Sequence, residues 1–169
     1  ISKAAKEWIL IHSDGAVTQG ARAIVDGRGV TVAEHPNGYW VGPTLLEDVT
    51  MDMAIAQEEV FGPAGNLIRR DSLDEAIAAI DRSEFGNAAS IYTSHGGLAR
   101  DFVQRVNIGN VGINVGVAAP MAFFPFSGRK NSFFGDLHGQ ASNAVQFFTD
   151  SKVVITNWPS RSDGREPWD

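Results

Sequence analysis

Residues 64–115 read AGNLIRRDSLDEAIAAIDRSEFGNAASIYTSHGGLARDFVQRVNIGNVGINV, and their alternation of short apolar runs with amphipathic stretches decides the fold. Ala64 to Ile68 and Ala88 to Thr93 predict strands, and Gly109 to Val115 predicts a third, nearly continuous in apolar and small residues as a strand covered on both faces should be. Ser72-Leu73-Asp74-Glu75 has the form of a capping box, and Leu73, Ala76, Ile77 and Ile80 share one face of the helix behind it. Ser94 heads a second helix striped by Leu98, Phe102, Val103 and Val106. Three strands joined by two helical crossovers predict an α/β fold with a parallel βαβαβ sheet. Ligands of such sheets sit beyond the carboxyl ends of the strands, here near Arg69, Thr93 and Val115.

Upstream, Ala4, Ala5, Trp8, Ile9 and Ile11 predict a helix that Ser13-Asp14-Gly15 should interrupt. Arg22 to Asp26 and Val30 to Ala33 are strand candidates, and Asp52 to Gln57 can form one or two helical turns. These turns lead into Gln57-Glu58-Glu59-Val60-Phe61-Gly62-Pro63. In an extended segment Glu59 and Phe61 point the same way and can meet one ligand together. A carboxylate that accepts from two ribose hydroxyls beside a flat apolar ring suits a nucleoside. The other reading, which the spacing alone favours, is a solvated acidic helix end followed by a core phenylalanine.

Downstream, residues 116 to 138 show no regular element yet carry Phe123, Phe124, Phe126, Phe133 and Phe134, so the loop either serves a ligand or plugs a subunit contact. Asn143 to Phe148 predicts a short helix, and Lys152 to Trp158 a strand that completes a sheet within this chain or in a partner. Residues 160–169 are polar and predict a loose tail.

A chain of 169 residues supports one packed domain, and its 43% hydrophobic and 20% charged content is that of a globular protein. The net charge of −6, with no basic cluster, gives no reason to bind nucleic acid. Apolar runs are too short to span a bilayer and no signal pattern is present, so the expected compartment is the cytoplasm or, after processing, an organelle matrix. No GxGxxG, Walker A, HExxH or GxSxG motif occurs, and His12, His35, His95 and His138 lack ligand spacing, so no metal site is expected. With no cysteine, the chain holds no thiol nucleophile, and no catalytic residue is assigned.

Gly38-Tyr39-Trp40-Val41-Gly42-Pro43-Thr44 followed by Glu58-Glu59-Val60-Phe61-Gly62-Pro63 resembles the NAD(P)-dependent aldehyde dehydrogenase superfamily. Phe123-Phe124-Pro125-Phe126-Ser127-Gly128, Ser132-Phe133-Phe134-Gly135-Asp136-Leu137-His138 and Phe147-Phe148-Thr149 with Lys152-Val153-Val154 are similar to its CoA-acylating methylmalonate-semialdehyde branch. The resemblance implies that Glu59 holds the ribose of NAD, that Phe61 lies beside the nicotinamide, and that Phe124 and Phe126 line an aldehyde pocket. It further implies CoA as co-substrate, residues 1–148 as the carboxy-terminal part of the catalytic domain, and residues 149–169 as an oligomerisation strand and tail. The implied partners are a small aldehyde and either a second copy of the chain or an upstream dehydrogenase half that carries the cysteine. Arg129, Ala141 and Phe148 depart from the branch, which has Trp, Gly and Tyr there. Two other readings remain: a non-catalytic relative acting as an assembly module, and part of a non-acylating aldehyde dehydrogenase.

Overall fold

The computed structural model describes residues 2–158. It divides into two units, one holding the chain up to Ala119 together with Ser127–Phe134, the other holding Pro120–Phe126 and the chain from Gly135 onward.

The first unit opens with helix α1 (Lys3–Thr18), which runs unbroken through Ser13-Asp14-Gly15. The expected interruption fails because Ser13 is fully buried and its hydroxyl donates to the Ile9 carbonyl at 2.8 Å, so the polar side chain serves the helix instead of competing with it. Strands β1 (Arg22–Val25), β2 (Thr44–Glu47) and β3 (Ala64–Asn66) form one sheet in that order, with β1–β2 antiparallel and β2–β3 parallel. The one-turn helix α2 (Ala54–Gln57) lies between β2 and β3. Ala16, Ala21, Leu46, Val49, Met53 and Ile55 make the core beneath this sheet. No strand forms over Val30–Ala33.

Beyond β3 come α3 (Leu73–Arg82), the two-residue β4 (Phe85–Gly86), β5 (Ala88–Ile91), α4 (Gly96–Arg105) and β6 (Asn110–Ile113). Half of the expected capping box forms: the Ser72 hydroxyl accepts from the Glu75 amide at 3.2 Å, but the Glu75 carboxylate accepts from the Asp71 amide instead of the Ser72 amide. The helix of residues 96–105 is capped by His95 without a side-chain bond, not by Ser94. β5 and β6 pair in parallel from Ala88↔Asn110 to Ile91↔Ile113, so β5–α4–β6 is the expected crossover unit.

The expected three-stranded parallel sheet is not formed, because β3 is hydrogen-bonded to β2 and β5–β6 is a sheet of its own. The cause lies in the burial. Leu73, Ile77 and Ile80 of α3 pack with Phe102, Val106, Ile91 and Val111 in a second core, whereas Ile68, just after β3, belongs to the first. Each strand follows the apolar cluster its neighbours feed. Residues 129–130 return as β7 (Arg129–Lys130) and pair antiparallel with β4.

In the second unit, α5 (Ala141–Phe147) has no buried residue, and Phe147 and Phe148 meet edge to face at 5.0 Å. Ala141 begins it at φ +55, a left-handed conformation that costs an alanine more than a glycine. The expected strand over Lys152–Trp158 is not formed within the described residues, where Val153, Val154, Ile155 and Trp158 are exposed. A strand exists only with a partner for its ladder, and residues 152–158 have none in the chain as described. The tail of residues 160–169 lies outside the described residues.

One charge cluster ties the first sheet together. Glu47, only 8% exposed at the end of β2, takes Arg22 of β1 on one carboxylate oxygen and Arg69, which follows β3, on the other at 2.5 Å. The hydrogen bond from Arg69, aided by the charge of Arg22, holds the Glu47 carboxyl below its ordinary 4.5. Arg28 likewise grips Asp26 through two bonds at 2.6 and 2.8 Å and lowers it from 3.8 to about 2. A depressed folded-state pKa stabilises at pH above the unfolded value and is lost as pH falls through the folded one. Thermal midpoints should therefore be insensitive to these groups above roughly pH 5 and fall between roughly pH 4 and 2. Glu47→Gln should flatten that fall, and a midpoint constant down to about pH 2 would show that these pairs carry no stability.

Candidate functional site

Glu59 sits at the end of a tightly held excursion from the first sheet. Asp48, directly after β2, turns the chain at φ +62, and Met53 and Ile55 then anchor α2 in the first core at 5% and 4% exposure. The Gln57 amide donates to the Met51 carbonyl at 3.0 Å, and Asn66 of β3 donates to the Ile55 carbonyl at 3.0 Å. At the far end the Thr44 amide donates to the Pro63 carbonyl at 2.8 Å. Gly62 is pressed on Ile9 of α1 so closely that a β-carbon there would lie 2.5 Å from the Ile9 Cδ1. Both ends of the segment are fixed, which gives the carboxylates between them a defined place.

That place is the wall of a cavity of about 390 Å³. Met51, Ala56, Gln57, Glu58 and Glu59 line one side, and Arg82, Ser83, Glu84 and Phe85 the other. Three carboxylates thus face one guanidinium, and Arg82 is already bound to Asp52 at 2.8 Å. The lining favours hydroxyl donors and positive charge, and disfavours a bare phosphate.

Phe61 behaves differently from the sequence expectation. It takes a left-handed backbone, φ +50, so the extended alternation that would aim it alongside Glu59 stops there. The ring is 80% exposed and does not line the cavity. An aromatic residue in this conformation is an uncommon, strained arrangement of the kind found at ligand sites. Among the cavity residues the sequence reading missed, Phe85 supplies an aromatic ring and Arg82 the cation. Neither carried a signal, because α3 and the turn behind it reach Glu59 only through tertiary packing.

Phe124 and Phe126 belong to the second unit, where Phe124 leans on Phe123 with ring centres 4.8 Å apart. They are 55% and 37% exposed, so both rings remain open to solvent. Among the described residues no cluster of three or more His, Cys, Asp or Glu is arranged to hold a metal, and no helix is long and apolar enough to cross a membrane.

Comparison with known proteins matches residues 1–154 to the aldehyde dehydrogenase family. The chain belongs to that family. It is 46% identical over 153 residues to malonate-semialdehyde dehydrogenase 3 of Bacillus cereus, a match that covers 90% of this chain and 31% of that relative. Among solved structures, the methylmalonate-semialdehyde dehydrogenase of Oceanimonas doudoroffii superposes with a TM-score of 0.93 at 39% identity, over 98% of this chain and 34% of that one. A protein of Sinorhizobium meliloti 1021, described as a methylmalonate-semialdehyde dehydrogenase and complexed with NAD, gives 0.92 at 39% identity, over 96% and 33%. The family's α/β fold is therefore present, and the chain spans about a third of the length of these relatives.

Proposed function

We propose that this chain is the carboxy-terminal, cofactor-contacting portion of an NAD-dependent, CoA-acylating malonate- or methylmalonate-semialdehyde dehydrogenase. Residues 1–148 are assigned to its catalytic domain and 149–169 to an oligomerisation strand and tail. The observation that carries this reading is the 46% identity to a malonate-semialdehyde dehydrogenase along 90% of the chain.

The cavity beside Glu59 passes a simple test of fit. Its volume of about 390 Å³ lies in the range of small-ligand pockets, and its acidic lining matches a ribose carrying a cationic nicotinamide. In this reading the Glu59 carboxylate accepts from the ribose hydroxyls and fixes the nucleoside, while the exposed Phe61 ring covers a face of the nicotinamide. When bound, NAD supplies the hydride acceptor. Phe124 and Phe126 give the aldehyde an apolar surface. The nucleophile comes from outside these 169 residues, which contain no cysteine.

The partners follow from the same reading: a small semialdehyde, CoA, and either further copies of the chain or a dehydrogenase half carrying the thiol, in the cytoplasm. Exposed Val153, Val154, Ile155 and Trp158 support a terminal strand that pairs outside its own unit. The missing thiol also supports a second reading for the chain alone, a non-catalytic assembly module.

Glu59→Gln in the complete enzyme is the test. Loss of charged hydrogen bonds to two hydroxyls should raise the KM for NAD about tenfold with little change for the aldehyde. Unaltered NAD kinetics would remove the ribose role.

A further inference from the structure

The cavity wall opposite Glu59 is the end of α3 and the turn into β4, Arg82–Phe85. The helix ends in a 3₁₀-type bond, the Ser83 amide donating to the Ile80 carbonyl at 3.2 Å. Its C-cap, Ser83, is extended at φ −62 and ψ 140, with no left-handed glycine to satisfy the last carbonyls. Lys130 does so from 47 to 50 residues away. Its ammonium donates to the carbonyls of Asp81 and Ser83 at 3.0 Å each and of Ile80 at 3.4 Å. Three donors meet three acceptors, and the positive charge lies at the negative end of the helix dipole.

The neighbours of Lys130 hold the rest of the wall. The Asn131 amide donates to the Glu84 carbonyl at 3.0 Å, and the Ser132 hydroxyl accepts from the Gly86 amide at 3.0 Å. Phe85 pairs with Lys130 in the β4–β7 ladder. Lys130 itself takes φ +54, an uncommon conformation for lysine that the chain adopts while aiming the ammonium at these carbonyls.

We propose that Lys130 is the positioning residue of the Glu59 cavity, setting the Arg82–Phe85 wall at the distance a nicotinamide riboside requires. It acts from behind the wall, and the proposal rests on the assignment of that cavity to NAD. The experiment compares Lys130→Met and Lys130→Arg in the complete enzyme. The methionine keeps the stem and loses the charge and donors, so KM for NAD should rise about tenfold with kcat within about twofold, and arginine should recover most of the loss. Hydrogen exchange at the Phe85 and Gly86 amides should quicken in Lys130→Met and be restored in Lys130→Arg. Ser132→Ala loosens the same wall more gently and should raise KM for NAD roughly threefold, which keeps the test open should Lys130→Met not fold.

An unchanged KM for NAD in these variants, alongside a lowered melting point, would reduce Lys130 to a helix cap and overturn the proposal. Glu59→Gln separates the two levels. A response to Glu59→Gln with none to Lys130→Met defeats only the positioning role, whereas silence from Glu59→Gln defeats the NAD assignment beneath it.

Discussion

Purified alone, the 169-residue chain is expected to form no NADH above background from malonate or methylmalonate semialdehyde supplied with NAD and CoA. Acyl transfer to CoA through a covalent intermediate needs a nucleophile that first adds to the aldehyde and later leaves, a role suited to a thiolate. The sequence contains no cysteine. Its most buried hydroxyl, Ser13, is spent on the Ile9 carbonyl at 2.8 Å inside α1 and has no path to a substrate. Removing the nucleophile of a serine protease costs on the order of 10⁶ in turnover, and a comparable deficit here puts activity below detection. The assay is absorbance at the NADH band with and without an added cysteine-bearing dehydrogenase half. Robust turnover by the chain alone would overturn the assignment of the nucleophile to a segment elsewhere.

The second large effect is structural. Gly109→Ala should cost about 3 kcal/mol, lowering the melting point by roughly 10 °C, because the added methyl has nowhere to go. A β-carbon at Gly109 would lie 2.5 Å from Gly128 Cα, 2.6 Å from Gly128 N and 2.8 Å from Ser127 C. All three are backbone atoms, so no rotamer change relieves the contact. The same crossing is tied by Asn110, whose side-chain amide donates to the Ser127 carbonyl at 2.6 Å, and by the Gly109 amide, which donates to Gly86 at 2.9 Å. Gly97→Ala is the control, since a methyl there, in the first turn of α4, would meet nothing within 4 Å. Differential scanning calorimetry should separate the two variants clearly. Equal midpoints would mean that residues 127–128 do not cross β6 as described.

How far the sequence reached depends on the range of the forces involved. The helix of residues 73–82 was legible because its cap and its apolar stripe are local properties, and β5–α4–β6 because its connection length admits few alternatives. The break expected at Ser13 was not there, since a buried serine can bond within the helix, and only burial reveals that choice. The partition of β3 from β5 was invisible because both strands begin with small residues, Ala64 and Gly65 in one and Ala88 and Ala89 in the other, that fit either core. At the site, Glu59 lines a cavity whose other wall no sequence pattern indicated, and the left-handed turn at Phe61 was not legible. A phenylalanine gives no local hint of positive φ, and here the conformation accompanies Gly62 fixed on Ile9 and Pro63 fixed on Thr44. The Lys130 grip spans more than forty residues and leaves no pattern to read.

The two sides of the Glu59 cavity grow from different hydrophobic centres. Met53, Ile55 and Ala56 root one in the first, while Ile77 and Ile80 root the other in the second. An occupant touching both sides works as a rivet across that seam. Its binding energy then appears as cooperativity, making two regions that could loosen separately melt together.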